Sequence, residues 1–206
     1  MRIAVVGVGA IGGLLAAKLA HAGEEVSVVA RGAHLTAIRE NGLRLIEAEG
    51  EIVVRPRASS RIADLGPQDC VVLAVKAHQV AEIAAEIPAL LAPQATILTA
   101  QNGVPFWYFQ RSGGPYEGRG LASVDPDGRI AAALPVERIL GAVVYPAGEI
   151  VGPGIIRHIE GNRLTLGELD GSPTARATAL SQALQRAGFK APVSSDIRTE
   201  IWLKLW

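Results

Sequence analysis

Apolar positions in the first thirty residues change period twice. Arg2–Val6 is a short β-branched run; glycines follow, and then Ile11, Leu14, Leu15 and Leu19 recur at helical spacing up to Gly23, a natural stop. Residues 26–30 are again continuously apolar, as in a strand buried on both faces of a parallel sheet. The pattern predicts strand, tight turn, helix and strand, a βαβ unit with a right-handed crossover.

The alternation continues. Residues 33–40 read as a short helix ended by Asn41-Gly42, and 43–46 and 52–55 flank a polar turn containing Gly50, predicting a hairpin. Strands are expected at 70–75 and 95–99, with a helix over 77–91 that Pro88 should kink or shorten. From 112 to 135 the composition shifts towards Gly, Pro, Asp and Arg, predicting an irregular surface excursion or an inserted hairpin. Strand patterns resume at 139–145, 154–159 and 163–166. Gly161-Asn162 reads as the hairpin turn between the last two, which should extend or cover the sheet edge.

A helix over 174–187 starts after Ser172-Pro173 and ends at Gly188. Finally, Ser195 or Asp196 can cap a helix whose Ile197, Ile201, Trp202, Leu205 and Trp206 form a broad apolar face expecting a partner surface. The expected fold class is therefore α/β. A Rossmann-type doubly wound sheet over 1–195 is followed, at 196–206, by the first helix of a truncated all-helical C-terminal domain.

Composition narrows the chemistry. A chain of 206 residues, 49% hydrophobic, can bury a substantial core. Its 20 basic and 20 acidic residues balance, and no basic run is interleaved with aromatics, which argues against nucleic acid as a partner. The single cysteine, Cys70, lies beside Val71 and Val72. It reads as a buried thiol and excludes an internal disulfide or a multi-cysteine metal site. His21, His34, His78 and His158 have no ligand spacing, so no metal is expected. Arg2, the apolar run 3–17 and Ala20-His21-Ala22 imitate a secretory leader, but glycines in dinucleotide-loop phase account for the same stretch. Lys18 interrupts that run short of the ~20 residues a bilayer span needs. The expectation is a cytoplasmic protein without a membrane anchor.

Gly7-Val8-Gly9-Ala10-Ile11-Gly12, between strand and helix, fits the dinucleotide fingerprint. The first glycine makes the turn, the second admits a pyrophosphate to the backbone, and the third lets helix and strand pack closely. The second strand ends in Ala30-Arg31, where an NAD site usually carries an acid. A guanidinium there suits a 2′-phosphate, favouring NADPH over NADH, with a solvated loop arginine as the alternative. Lys76 and Gln101-Asn102-Gly103 directly follow strands, where open α/β sheets place ligands. By position alone Lys76 is equally a solvated loop charge, and Asn102 a turn residue.

Val75-Lys76-Ala77-His78-Gln79, Gln101-Asn102-Gly103-Val104 and the run from Asp196 to Leu205 resemble, in order and spacing, three signature segments of the ketopantoate reductase family. With the glycine loop and Arg31, the similarity extends over essentially the whole chain. The resemblance implies reduction of 2-dehydropantoate to pantoate with NADPH, a step of pantothenate biosynthesis. It implies that Arg31 and Lys76 hold the adenosine-side phosphate region and that Asn102 touches nicotinamide and substrate. Ala147, in Tyr145-Pro146-Ala147, falls near another cofactor-contacting position, and Lys204 matches the catalytic lysine. Helix spacing alone would instead pair an exposed Lys204 with Glu200. The family's helical second domain adds substrate contacts and a carboxylate, so this chain alone is expected to be inactive, with a small keto acid as partner of the intact protein and a homodimer left open. Two alternatives stand beside this reading: a non-catalytic NADP-binding module, and a reductase of a different keto acid on the same scaffold.

Overall fold

The computed structural model describes residues 1–206. In chain order the elements are β1 (Arg2–Val6), α1 (Ala10–His21), β2 (Glu25–Val29), α2 (Gly32–Asn41), β3 (Leu43–Glu47), β4 (Gly50–Val54), β5 (Arg57–Ser59) and β6 (Gln68–Leu73). Then come α3 (Val80–Ile83), β7 (Leu91–Thr99), α4 (Arg129–Ala133), β8 (Ile139–Val144), β9 (Ala147–Gly152), β10 (Ile155–Glu160), β11 (Leu164–Glu168), α5 (Ala175–Arg186) and α6 (Ile197–Leu205).

The main sheet runs in the order β11-β8-β7-β6-β1-β2-β5. All neighbouring pairs are parallel except β11 with β8, so the antiparallel strand sits at an edge. Central β1 alternates: Ile3 and Val5 point into a core shared with α1 and α5, while Ala4 and Val6 point into a second core holding Trp107 and Ile197. Both faces are thus covered, as a doubly wound parallel sheet requires. Cys70 is buried on β6 as expected, and burial pushes its thiol pKa up to about 12.

A second sheet, β4-β3-β10-β9, joins two hairpins through a parallel pairing of β3 with β10 in which Leu45 stands opposite Ile156. Helix α1 lies between the two sheets, which is why Leu14, Leu15, Ala16, Ala17 and Leu19 are all buried and the helix is apolar on every side. Two adjacent glycines permit this. A Cβ on Gly12 would stand 1.9 Å from the Gly7 carbonyl oxygen, and one on Gly13 would stand 2.6 Å from Ile156 Cγ1 of β10.

Two expectations need correction. Gly161-Asn162 does not turn a hairpin: β10 belongs to the second sheet and β11 to the main one, so this turn carries the chain between sheets. The hairpin partner of β10 is β9, whose glycine-flanked Ala-Gly-Glu-Ile-Val-Gly lacks a strand's alternation. Residues 77–91 form not one helix but a single α turn, α3, between two 3-10 segments, with Pro88 inside the second. Of the two forms expected at 112–135, the structure has the irregular excursion, a series of turns leading to α4, and not the hairpin.

Thr174 caps α5 through its hydroxyl, and Asp196 caps α6. On α6, Ile197 and Ile201 enter the second core, whereas Trp202, Leu203, Leu205 and Trp206 are exposed, so the expected broad apolar face is split. No helix is long and apolar enough to cross a membrane.

Candidate functional site

The site lies at the C-terminal ends of the central strands. Gly7 turns the chain out of β1 with φ +97°, in the left-handed region that favours glycine. Gly9 caps α1 in extended geometry, and a Cβ placed on it would meet nothing within 4 Å. That open space borders the first turn of α1, whose amides have no intrahelical acceptors, the arrangement that receives an anionic phosphate. Gly7, Val8 and Gly9 line one side of a cavity of about 610 Å³. Arg31, which caps the N-terminus of α2, lies on its wall, as do Gln79, Ile83 and the β9–β10 turn from Ile150 to Pro153. Glu82 and Glu86 also line it, so acidic groups absent from the end of β2 enter from the segment after β6.

A second cavity, about 60 Å³, brings Asn102 and Lys204 together with Gln101 and Val143. Gln101 braces it: its side-chain amide donates to the carbonyls of Leu73 at 2.9 Å and Val75 at 3.2 Å, tying the end of β7 to the end of β6. Asn102 is exposed beside it, and Gly103 turns away with φ +95°. Lys204 Nζ donates to the Val144 carbonyl and stands 5.1 Å from the Tyr145 ring centroid. Burial pulls its ammonium pKa below the usual lysine value. Glu200 reaches Arg163 at 3.4 Å instead of Lys204, so the simple helix pairing does not form. Arg198 donates to the carbonyls of Tyr108 and Gln110, each at 2.6 Å, and to that of Leu169, fastening α6 to the start of the excursion.

The remaining expected residues are placed less directly. Ala10 and Ile11 open α1 beside the first cavity, and Gly12 packs beneath it. Lys76 is exposed and outside both linings; its backbone N–H donates to Gln79 Oε1 at 3.2 Å, and Gln79 is the residue that reaches the cavity. Ala147 starts β9, and its neighbour Gly148 would place a Cβ 3.8 Å from Ala10 Cβ, but Ala147 lines neither cavity. Sequence reasoning missed His34, Tyr145 and the β9–β10 turn. Gln79 and Gln101, by contrast, stood inside segments whose other residues drew attention.

Comparison with known proteins identifies the family and the fold. A family model described as ketopantoate reductase PanE/ApbA matches residues 3–106. A 2-dehydropantoate 2-reductase of Mesorhizobium japonicum is 52% identical over 207 residues, covering 100% of this chain and 64% of that protein. A solved structure from Ralstonia solanacearum MolK2, described as a ketopantoate reductase, superimposes with a TM-score of 0.95 at 45% identity, again covering 100% of this chain and 64% of that one. The 2-dehydropantoate 2-reductase of Geobacter metallireducens GS-15 superimposes with a TM-score of 0.83 at 27% identity, covering 100% and 62%. The chain thus spans somewhat less than two thirds of the length of these relatives.

Proposed function

Because the chain belongs to the ketopantoate reductase PanE/ApbA family, we propose that residues 1–195 bind NADPH as a Rossmann domain and that 196–206 begin the helical substrate and dimerisation domain of a 2-keto acid reductase. The proposed substrate of the protein at its relatives' length is 2-dehydropantoate or a close analogue. The observation that carries the cofactor half is the open space over Gly9, continuous with a cavity whose wall at the end of β2 bears Arg31 in place of an acid.

NADPH, when bound, supplies the hydride. The backbone of Gly7 to Gly12 receives the pyrophosphate, Arg31 the 2′-phosphate, and Lys76 and Ala147 flank the cofactor. Asn102 orients nicotinamide and substrate. Lys204 stabilises the oxygen that gains negative charge as the keto carbon is reduced, then gives it a proton from Nζ; burial eases that transfer by weakening the ammonium's hold on the proton. Turnover is proposed for the protein at its relatives' length, and cofactor binding for residues 1–195.

Fluorescence titration tests the cofactor reading. NADPH should bind more tightly than NADH, and Arg31→Ala should weaken NADPH about tenfold more than NADH, the size of one charge-assisted hydrogen bond. Equal affinities in the wild type would overturn the role of Arg31. A second reading, reduction of a different keto acid, draws on Val124 and Ile130. They carry the excursion to a small apolar cavity that Phe106 and Asn102 also line. Relative kcat/KM for 2-dehydropantoate and bulkier apolar keto acids, measured on a protein of the relatives' length, decides between them.

A further inference from the structure

His34 joins three walls of the large cavity. It stands on α2 and lines the cavity together with Arg31, Val8 and the β9–β10 turn. Its Nδ1 accepts from the Gly154 N–H at 2.9 Å, a bond reaching across to the second sheet. The ring proton is therefore on Nε2, a buried atom beside the Val8 backbone of the glycine loop that makes no hydrogen bond of full geometry. Burial holds the imidazole pKa below its ordinary value, preserving the neutral form that Nδ1 needs in order to accept.

The turn that His34 grips is anchored to β3 and α2 at Gly154. Gly154 has φ +72°, its carbonyl accepts from the Arg44 N–H at 2.8 Å, and a Cβ on it would lie 3.1 Å from Ala37 Cβ, so the turn rests directly on α2. It presents Ile150 and Val151, both exposed apolar side chains, to the cavity. Exposed branched residues on a wall next to the end of β2 suit the flat apolar face of a nucleotide base.

We propose that His34 is a positioning residue: its Nδ1 holds the β9–β10 turn as the adenosine-side wall of the cavity, and dinucleotide affinity depends on that acceptor. This inference rests on the dinucleotide reading above. The substitutions that test it separate the two ends of the ring. In His34→Asn the amide oxygen stands where Nδ1 does and keeps the acceptor for Gly154. In His34→Gln the amide group stands near Nε2 and leaves no acceptor at the Nδ1 position. NADPH affinity should fall about five- to tenfold in His34→Ala and His34→Gln, the loss of one hydrogen bond, and return to within about twofold of wild type in His34→Asn.

Hydrogen exchange at the Gly154 amide of the ligand-free protein gives an independent readout, fast in the Ala and Gln variants and slow in wild type and His34→Asn. If His34→Ala fails to fold by circular dichroism, the Asn and Gln pair alone decides. Equal NADPH affinities for Asn and Gln, or Gly154 exchange that ignores all substitutions, overturn the proposal. Absence of any NADPH or NADH binding by wild type overturns the dinucleotide reading and the wall's role with it, and is recognisable as such because Gly154 exchange reports the His34 contact without ligand.

Discussion

Asp196 does two jobs with one carboxylate: Oδ1 accepts from the Thr199 N–H at 3.0 Å and Oδ2 from the Thr199 hydroxyl at 2.6 Å. These bonds hold its pKa below the ordinary 3.8. A depressed acid stabilises the fold fully above the unfolded value near 3.8, and that contribution disappears as pH falls through the lower folded value. Asp196→Ala should therefore cost about 1 kcal/mol at neutral pH in urea denaturation, with the gap from wild type closing in strong acid. At this scale the sequence was informative wherever a residue's place depends on neighbours in the chain, as with this cap, the position of Arg31 at the end of β2 and the turn at Gly7. It was silent on Tyr145 beside Lys204 and misleading on Glu200, because both depend on which strand α6 lies across.

Gly12 and Gly13 are neighbours on α1 with different obligations. A Cβ on Gly12 meets backbone, the Gly7 carbonyl at 1.9 Å, whereas one on Gly13 meets the movable side chain of Ile156 at 2.6 Å. Gly12→Ala should displace the glycine loop and abolish dinucleotide binding along with stability. Gly13→Ala should keep binding while costing about 1–3 kcal/mol of overpacking, checked by denaturation and titration side by side. The βαβ unit around this helix was legible because its period changes from strand to helix within a few residues. The segment after β6 was not: apolar spacing suggested a continuous helix where the chain forms 3-10 turns on either side of a single α turn.

Across the whole molecule, the second sheet was the part hidden from sequence. Its β3–β4 hairpin and β10 carry local signals, but β9 does not, and the bond between the halves pairs residues 44–46 with 155–157, a meeting no short-range pattern encodes. The lower edge of the site has a comparable long-range clasp in Arg198, whose guanidinium serves the carbonyls of Tyr108, Gln110 and Leu169. Arg198→Met would leave those partly buried acceptors unserved. A loss of about 1–3 kcal/mol in thermal or urea denaturation is expected, and Arg198→Lys, with one compact ammonium in place of a fork, should recover only part of it.

The β3–β10 pairing also sets an order of events during synthesis. The strands that flank the glycine helix on the main-sheet side, β1, β2 and β6, are complete by Leu73, and β3 and β4 on its other side by Val54, but the patch that Ile156 covers stays open until β10 has been made. Closing so long a loop is entropically slow, and it leaves that apolar helix patch exposed on the nascent chain. The helix that later frames the phosphate cradle is, for that interval, the surface a chaperone would be called on to shield.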